Sequence, residues 1–212
     1  MIKNIIFDLG GVLLDVNVEL TYTQLGEAMG LEVQSKQIPS HIYKLILGYE
    51  KGEINTETFL WNLQKESTNL PPQPNQLIRA WNAMILKWKP ERLDFLMKLK
   101  KEFKVFLLSN SNDLHLERIR RNLKMNHQIV DFDTKYFDKT FYSHLMKLRK
   151  PEIKIFEKVL IETGINPKET LFIDDTEENV EKAREAGLHA VCHNTDDNII
   201  DSIKRYLKEH NA

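Results

Sequence analysis

The residues of this chain that could do chemistry are polar groups at or near the ends of short apolar runs. A carboxylate there can attack as a nucleophile or bind a metal, helix-opening N–H groups bind anions, and a lysine supplies a compact positive charge. Three carboxylates on one lysine need a further cation between them, and oxygen ligands suit Mg²⁺. Together they describe a site for phosphoryl transfer. The groups are Asp8, Ser109-Asn110, Lys150 and Asp174-Asp175.

Five apolar runs predict the strands that would bring these groups together. Buried runs this short are typical of a parallel sheet covered on both faces. Helical patterns separate the later runs, so the expected fold is α/β, a doubly wound parallel sheet that binds ligands at the carboxyl ends of its strands. The predicted strands are Ile5–Phe7, Val105–Leu108, Thr140–Tyr142, Leu171–Ile173 and Ala190–Cys192, and the predicted helices are 91–101, 113–125, 152–163 and 177–186.

The stretch from about residue 17 to 88 breaks this alternation. It contains helical patterns separated by turn residues, and no run within it predicts a strand. We therefore expect an inserted all-α domain over 17–88 and a Rossmann-like core formed by 1–16 and 89–212.

The composition favours a globular cytoplasmic protein with a small-molecule partner. The chain has 212 residues, 42% of them hydrophobic, and a formal net charge of −1, so no overall field favours nucleic acid or an anionic membrane. Its single cysteine, Cys192, excludes an intramolecular disulfide, which suits a reducing compartment. No apolar run reaches the length of a membrane span.

Four segments resemble, in order and spacing, the motifs of the haloacid dehalogenase superfamily. Each segment alone is weakly specific, but four in sequence across nearly the whole chain are highly specific. The insertion is similar to that family's helical cap, and its Lys51-Gly52-Glu53-Ile54 stretch looks closest to the α-D-glucose-1-phosphatase-like branch. The four segments are Phe7-Asp8-Leu9-Gly10-Gly11-Val12, Leu108-Ser109-Asn110, Arg149-Lys150-Pro151 and Phe172-Ile173-Asp174-Asp175.

The resemblance implies a Mg²⁺-dependent phosphatase of a small phosphorylated metabolite, with a sugar phosphate as the first candidate. Asp8 would attack phosphorus and form an aspartyl-phosphate. Ser109 and Asn110 would bind the phosphoryl group, and Lys150 would neutralise it and steady Asp8. Ser109 and Lys150 are thus catalytic residues together with Asp8.

The resemblance also implies a magnesium site. Its ligands would be Asp8, the backbone carbonyl of Gly10, and Asp175. Asp174 and Asn179 would act through water or from behind these ligands.

Gly10 departs from the pattern of most phosphatases of this superfamily, which carry a second aspartate there as general acid and base. Such help is typically worth ~10²–10⁴-fold in rate. A leaving group that needs little protonation, such as a sugar anomeric oxygen, would reduce the loss. His115 is a conceivable substitute, although a role on the helix surface or behind the site is favoured.

The absence of a second aspartate at position 10 leaves two alternative functions open. A 2-haloacid dehalogenase also lacks the second aspartate, but it needs no Asp174-Asp175 pair to hold a cation. A non-catalytic or regulatory binding protein could keep the fold and the site without turnover. Metal-dependent phosphate release separates all three functions.

Overall fold

The computed structural model describes residues 1–31, 38–68 and 70–211. In these residues the strands are β1 (Asn4–Phe7), β2 (Leu14–Val16), β3 (Ile85–Trp88), β4 (Lys104–Ser109), β5 (Lys139–Tyr142), β6 (Thr170–Asp174) and β7 (His189–Cys192). The helices are α1 (Val18–Met29), α2 (Ser40–Glu50), α3 (Thr56–Lys65), α4 (Pro74–Trp81), α5 (Pro90–Leu99), α6 (Asp113–His127), α7 (Phe132–Tyr136), α8 (Ser143–Met146), α9 (Ile153–Thr163), α10 (Glu177–Glu185) and α11 (Ile199–Asn211).

Five strands form one parallel sheet in the order β5-β4-β1-β6-β7, which confirms the predicted doubly wound α/β fold. All five predicted strands are present, each within one residue of its predicted bounds at either end. The first strand of the chain lies in the centre, and β4 and β6 flank it. Ile5, Ile6 and Phe7 have no exposed surface, because side chains on both sheet faces are covered.

The register of the central strands determines which residues meet at the carboxyl edge of the sheet. Phe7 is level with Leu107 on β4 and with Ile173 on β6. Residues that follow these three positions therefore emerge side by side at one edge. This is the edge at which the sequence places its polar groups.

The expectation that 17–88 holds no strand is wrong at its end. β3 pairs antiparallel with β2, with Leu14 opposite Trp88 and Val16 opposite Ile85. Strands of three or four residues carry little periodicity, and this ribbon depends on a partner about 70 positions away in the chain. Trp88 packs against Phe132 with ring centroids 5.1 Å apart, so β3 joins the core of the sheet domain.

Helices α1 to α4 pack around an apolar cluster of their own. Tyr49 stacks on Phe59 with centroids 4.2 Å apart, and Phe59 meets the edge of Trp81 at 5.0 Å. Leu114 of α6 belongs to the same cluster, so the cluster reaches the helix that follows β4. We call α1 to α4 the cap.

A buried ion pair holds the chain where it leaves the loop after β1. Arg92 of α5, 4% exposed, donates from Nη1 to Oδ1 of Asp15 at 2.8 Å, and Lys89 lies 3.6 Å from the same carboxylate. Asp15 is therefore fixed on the side of the ribbon that faces α5.

Candidate active site

Asp8 occupies the end of the central strand and is held there by the main chain. Its N–H donates to the carbonyl of Ile173 at 2.8 Å, which extends the pairing of β1 with β6 by one residue. The residue is 8% exposed. The carboxylate is thus both buried and fixed in direction.

Lys150 binds two carboxylates at once. Its Nζ donates to Asp8 Oδ1 at 2.7 Å and to Asp174 Oδ2 at 2.6 Å, and its side chain is 1% exposed. Burial opposes the charged form, but the two carboxylates outweigh it and raise the pKa of Lys150 above its usual value. The lysine remains an ammonium ion in the centre of the site.

Asn110 holds the main chain of Lys150. Its Nδ2 donates to the Lys150 carbonyl at 2.9 Å, and its Oδ1 accepts from the Lys150 N–H at 2.9 Å. This side-chain amide is engaged with the main chain of the lysine, and the substrate contact predicted for Asn110 stays a prediction. Neighbouring Ser109 is 3% exposed, and within the described ranges its Oγ makes only a 3.5 Å contact, with the Asn110 carbonyl. That hydroxyl remains available to bind a phosphoryl oxygen.

Asp174 has no exposed surface, and both of its oxygens have partners. Oδ2 accepts from Lys150, while Oδ1 accepts from the Thr176 N–H and from Asn179 Nδ2, each at 2.9 Å. Thr176 precedes α10 and Asn179 lies in its first turns, so the helix start fixes the carboxylate. This geometry favours a supporting role for Asp174 and Asn179, as the resemblance implies.

Asp175 lies against the glycine pair that follows Asp8. A Cβ on Gly11 would lie 2.1 Å from Asp175 Oδ2 and 2.5 Å from its Cγ, and Gly11 has φ of +74°. Only glycine allows this approach of backbone to carboxylate. A Cβ on Gly10 would meet Val16 Cγ1 at 3.4 Å, which is an ordinary contact.

The three carboxylates form one cluster with an excess of negative charge. Asp8, Asp174 and Asp175 each offer an oxygen within 4.8 Å of the others, and Lys150 is the ammonium that contacts two of them. Burial raises the pKa of Asp8 to about 7, against the lowering effect of Lys150, and Asp174 adds to the rise. Burial and Asp174 also raise the pKa of Asp175.

These residues fit a bound Mg²⁺ ion. The donors are hard oxygens on a partly open edge, and a divalent cation would balance the excess charge. Asp8 Oδ2 has no hydrogen-bond donor among the described residues, and the Asp175 carboxylate accepts a 3.4 Å contact from Thr176 Oγ1 and a bond from its own backbone N–H. Asp8 and Asp175 therefore have oxygens to offer a metal, whereas those of Asp174 are occupied.

His115 is buried beneath the cap and does not lie on the helix surface. Its ring stacks on Trp81 with centroids 4.8 Å apart, and its Nε2 lies 3.1 Å from the Trp81 carbonyl. Its Nδ1 lies 3.1 Å from Asn112 Nδ2, which makes Nε2 the donor and Nδ1 the acceptor. Burial lowers the pKa of His115 to about 4. With both nitrogens engaged, this histidine is a poor substitute for the missing acid of position 10.

The cap contacts the loop that carries Lys150. The sequence analysis did not predict this contact. Arg149 donates to Glu50 Oε2 at 3.2 Å from Nε, and its Nη2 lies 3.1 Å from the same atom. Burial raises the pKa of Glu50, although Arg149 opposes the rise. The Glu50 carbonyl also accepts from Ser143 Oγ at 2.6 Å. Arg149 belongs to the Arg149-Lys150-Pro151 segment that carries the family resemblance, but no pattern in the sequence predicts its pairing with Glu50.

Gly52 completes this contact between cap and sheet domain. Its φ is +64°, and a Cβ there would lie 2.2 Å from the His144 carbonyl oxygen. Lys147 Nζ donates to the Gly52 carbonyl. The Lys51-Gly52-Glu53-Ile54 stretch is therefore a docking segment between the two parts of the molecule.

Comparisons with known proteins identify the family to which this chain is similar. A family model described as haloacid dehalogenase-like hydrolase matches residues 2–187. The chain is 26% identical over 199 residues to D-ribitol-5-phosphate phosphatase of Bacteroides thetaiotaomicron, covering 88% of this chain and 89% of that protein. No helix in the described ranges is long and apolar enough to cross a membrane.

Two solved structures resemble the fold closely. A HAD-like family hydrolase from Porphyromonas gingivalis aligns with a TM-score of 0.86 and 30% identity, over 98% of both chains. The HAD family enzyme bt-2542 of Bacteroides thetaiotaomicron, in complex with magnesium and inorganic phosphate, aligns with a TM-score of 0.81 and 30% identity. That alignment covers 93% of this chain and 97% of the other.

Proposed function

The chain belongs to the haloacid dehalogenase-like hydrolase family, and on that basis we propose that it is a Mg²⁺-dependent phosphatase of small phosphorylated metabolites. A sugar phosphate is the first candidate substrate, and hydrolysis proceeds through an aspartyl-phosphate on Asp8. The observation that carries the proposal is the difference between the two Asp8 oxygens. Oδ1 is held by Lys150, whereas Oδ2 accepts no bond from the described residues, and the Asp8 carboxylate belongs to the cluster with Asp174 and Asp175.

The relatives support the reaction type and the cofactor. A phosphatase of D-ribitol 5-phosphate matches nearly the whole chain, and a structural neighbour has been solved with both magnesium and inorganic phosphate. The carboxylate cluster argues against the dehalogenase alternative, because cleavage of a carbon–halogen bond at this carboxylate needs no cation.

Each step of the proposed reaction is assigned to a residue. One oxygen of the Asp8 carboxylate attacks phosphorus, and the P–O bond to the sugar breaks with its electron pair on the leaving oxygen, which takes a proton from water. Ser109 donates to a phosphoryl oxygen, and Lys150 offsets the negative charge of Asp8 and the phosphoryl group. Water then attacks phosphorus, releases inorganic phosphate and restores the Asp8 carboxylate.

A magnesium ion would be held by Asp8, the Gly10 carbonyl and Asp175, and would supply electrostatic stabilisation of the phosphoryl oxygens. Asp174 and Asn179 would keep Lys150 and the loop after β6 in place. The leaving oxygen receives no side-chain acid from position 10, so substrates with good leaving groups are favoured.

Phosphate release is the test of this function. Wild type, Asp8→Asn and the surface control Asp94→Asn would be assayed on sugar phosphates, alditol phosphates, nucleotides and p-nitrophenyl phosphate, with Mg²⁺ and with chelator. We expect release only when both Mg²⁺ and Asp8 are present, and an unchanged rate for Asp94→Asn. Release by Asp8→Asn at the wild-type rate would refute the role of Asp8. Halide release from a 2-haloacid, or no turnover of any substrate, would favour one of the two alternatives.

A further inference from the structure

A cavity of about 240 Å³ lies between the β7 edge of the sheet and helix α11. Among the described residues, none that lines it belongs to the carboxylate cluster or to the cap. A cavity of about 150 Å³ is enough to hold benzene, so this one has room for a substituted or fused ring. Its walls are mainly apolar and come from Leu171, Ile173, Val191, Ile199, Ile203 and Tyr206.

His193 lines this cavity and has no side-chain partner. The residue is 3% exposed, and neither Nδ1 nor Nε2 has a hydrogen bond in the described part of the chain. A buried polar atom without a partner is costly, and native structures usually provide one from protein, water or ligand. Burial lowers the pKa of His193, and Arg92 and Lys89 add to this effect. The ring is therefore neutral and offers one donor and one acceptor.

The charges at the mouth of the cavity disfavour a phosphorylated ligand. Asp197 and Glu209 carry negative charge there, and Arg205 carries the positive charge. Two negative charges and one positive charge in the lining give an anion no net attraction there, and the remaining walls are mainly aliphatic. An uncharged molecule with one hydrogen-bonding group suits the apolar walls and the imidazole together.

We propose that the cavity between β7 and α11 is a second binding site, which takes an uncharged ring-sized molecule whose polar group pairs with His193. The site lies next to the strand end that carries Asp174, because the His193 N–H donates to the Asp174 carbonyl at 2.8 Å. This inference does not depend on the phosphatase function, and it is tested by ligand binding alone.

Indole is the probe, and indene is its matched control because it has the same ring size without the N–H group. Long-range ¹H–¹⁵N spectra of the imidazole rings resolve individual histidines, of which the chain has seven. The His193 resonances are identified by their loss in His193→Phe. We expect indole to shift them in a saturable manner, and to bind about two- to tenfold more tightly than indene, the value of one neutral hydrogen bond.

Two variants and one competitor complete the test. His193→Phe keeps a ring in place and should abolish the preference for indole over indene. Ser202→Phe fills the cavity from α11 and should abolish indole binding while the other histidine resonances stay unchanged. Saturating Mg²⁺ and inorganic phosphate should leave indole binding unchanged. A cavity that holds water only would give no saturable shift. The proposal would be overturned by the absence of a saturable shift. It would also be overturned if phosphate displaced indole, or if Ser202→Phe bound indole as wild type does.

Discussion

Replacing Gly11 by alanine should damage the active site far more than replacing Gly10, although the two glycines are adjacent. The Cβ of Gly11→Ala would lie 2.1 Å from Asp175 Oδ2. Non-bonded atoms prefer separations of about 3.5–4.0 Å, so the loop or the carboxylate must move by roughly 1 Å or more. The φ of +74° adds a strain of about 1–2 kcal/mol for a residue with a side chain.

The expected loss of activity follows from that displacement. A misplacement of about 1 Å at a catalytic group typically costs on the order of 10²-fold in rate. Because Asp175 is a proposed magnesium ligand, Gly11→Ala should also need more Mg²⁺ for half-maximal activity. In Gly10→Ala the new Cβ meets Val16 at 3.4 Å without a positive φ, so we expect it to keep the wild-type Mg²⁺ requirement.

The assay measures kcat/KM and the Mg²⁺ concentration at half-maximal rate for wild type and both variants, with urea unfolding as a check on the fold. The free energy of unfolding of Gly11→Ala should fall by about 1–2 kcal/mol, the strain alone. If Gly11→Ala kept both the rate and the Mg²⁺ requirement of wild type, the loop would not press on Asp175 and the metal site would be misassigned.

Three further predictions concern other parts of the site. Gly10→Asp should add a general acid and raise the rate most for substrates with poor leaving groups, by up to ~10²-fold; equal gains for all substrates would contradict the role of leaving-group protonation. Asp174→Asn should lower kcat by at least ~10-fold while leaving KM within about threefold, because it disturbs the Lys150 ammonium, and an unchanged kcat would remove Asp174 from the site. The pKa of His115 is lower in the folded protein than in the unfolded chain, so the free energy of unfolding should fall as the pH drops from 6.5 to 4, by about 3 kcal/mol in total. His115→Gln should lose that part of the pH dependence in urea titrations; parallel curves for variant and wild type would show that His115 titrates normally.

The sequence predicted the sheet because its strands are continuous apolar runs that end in polar residues. Asp8, Lys150 and Asp174 are separated by up to 166 positions in the chain, yet the rule that parallel strands share one carboxyl edge was enough to bring them together. The roles of Gly10 and Asp175 remain predictions that the assays above address, and the role of Ser109 also remains a prediction.

The features that the sequence did not reveal depend on pairing between distant short segments. The β2–β3 ribbon involves three and four residues, too few for a periodic signal. The contact of Glu50 with Arg149 depends on how the cap docks, which no local pattern encodes. The burial of His115 has the same origin, because its partner Trp81 belongs to the cap.

The docking of the cap on Arg149 has a mechanical consequence for turnover. Arg149 forms an ion pair with Glu50 of the cap, and the next residue, Lys150, forms one with Asp8, the proposed nucleophile. The ion pair with the cap and the ammonium that contacts Asp8 are therefore carried by residues that share one peptide bond. Opening of the cap would separate Glu50 from Arg149 and release one of the contacts that hold the segment carrying Lys150. We therefore expect movement of the cap to be coupled to the position of the Lys150 ammonium against Asp8.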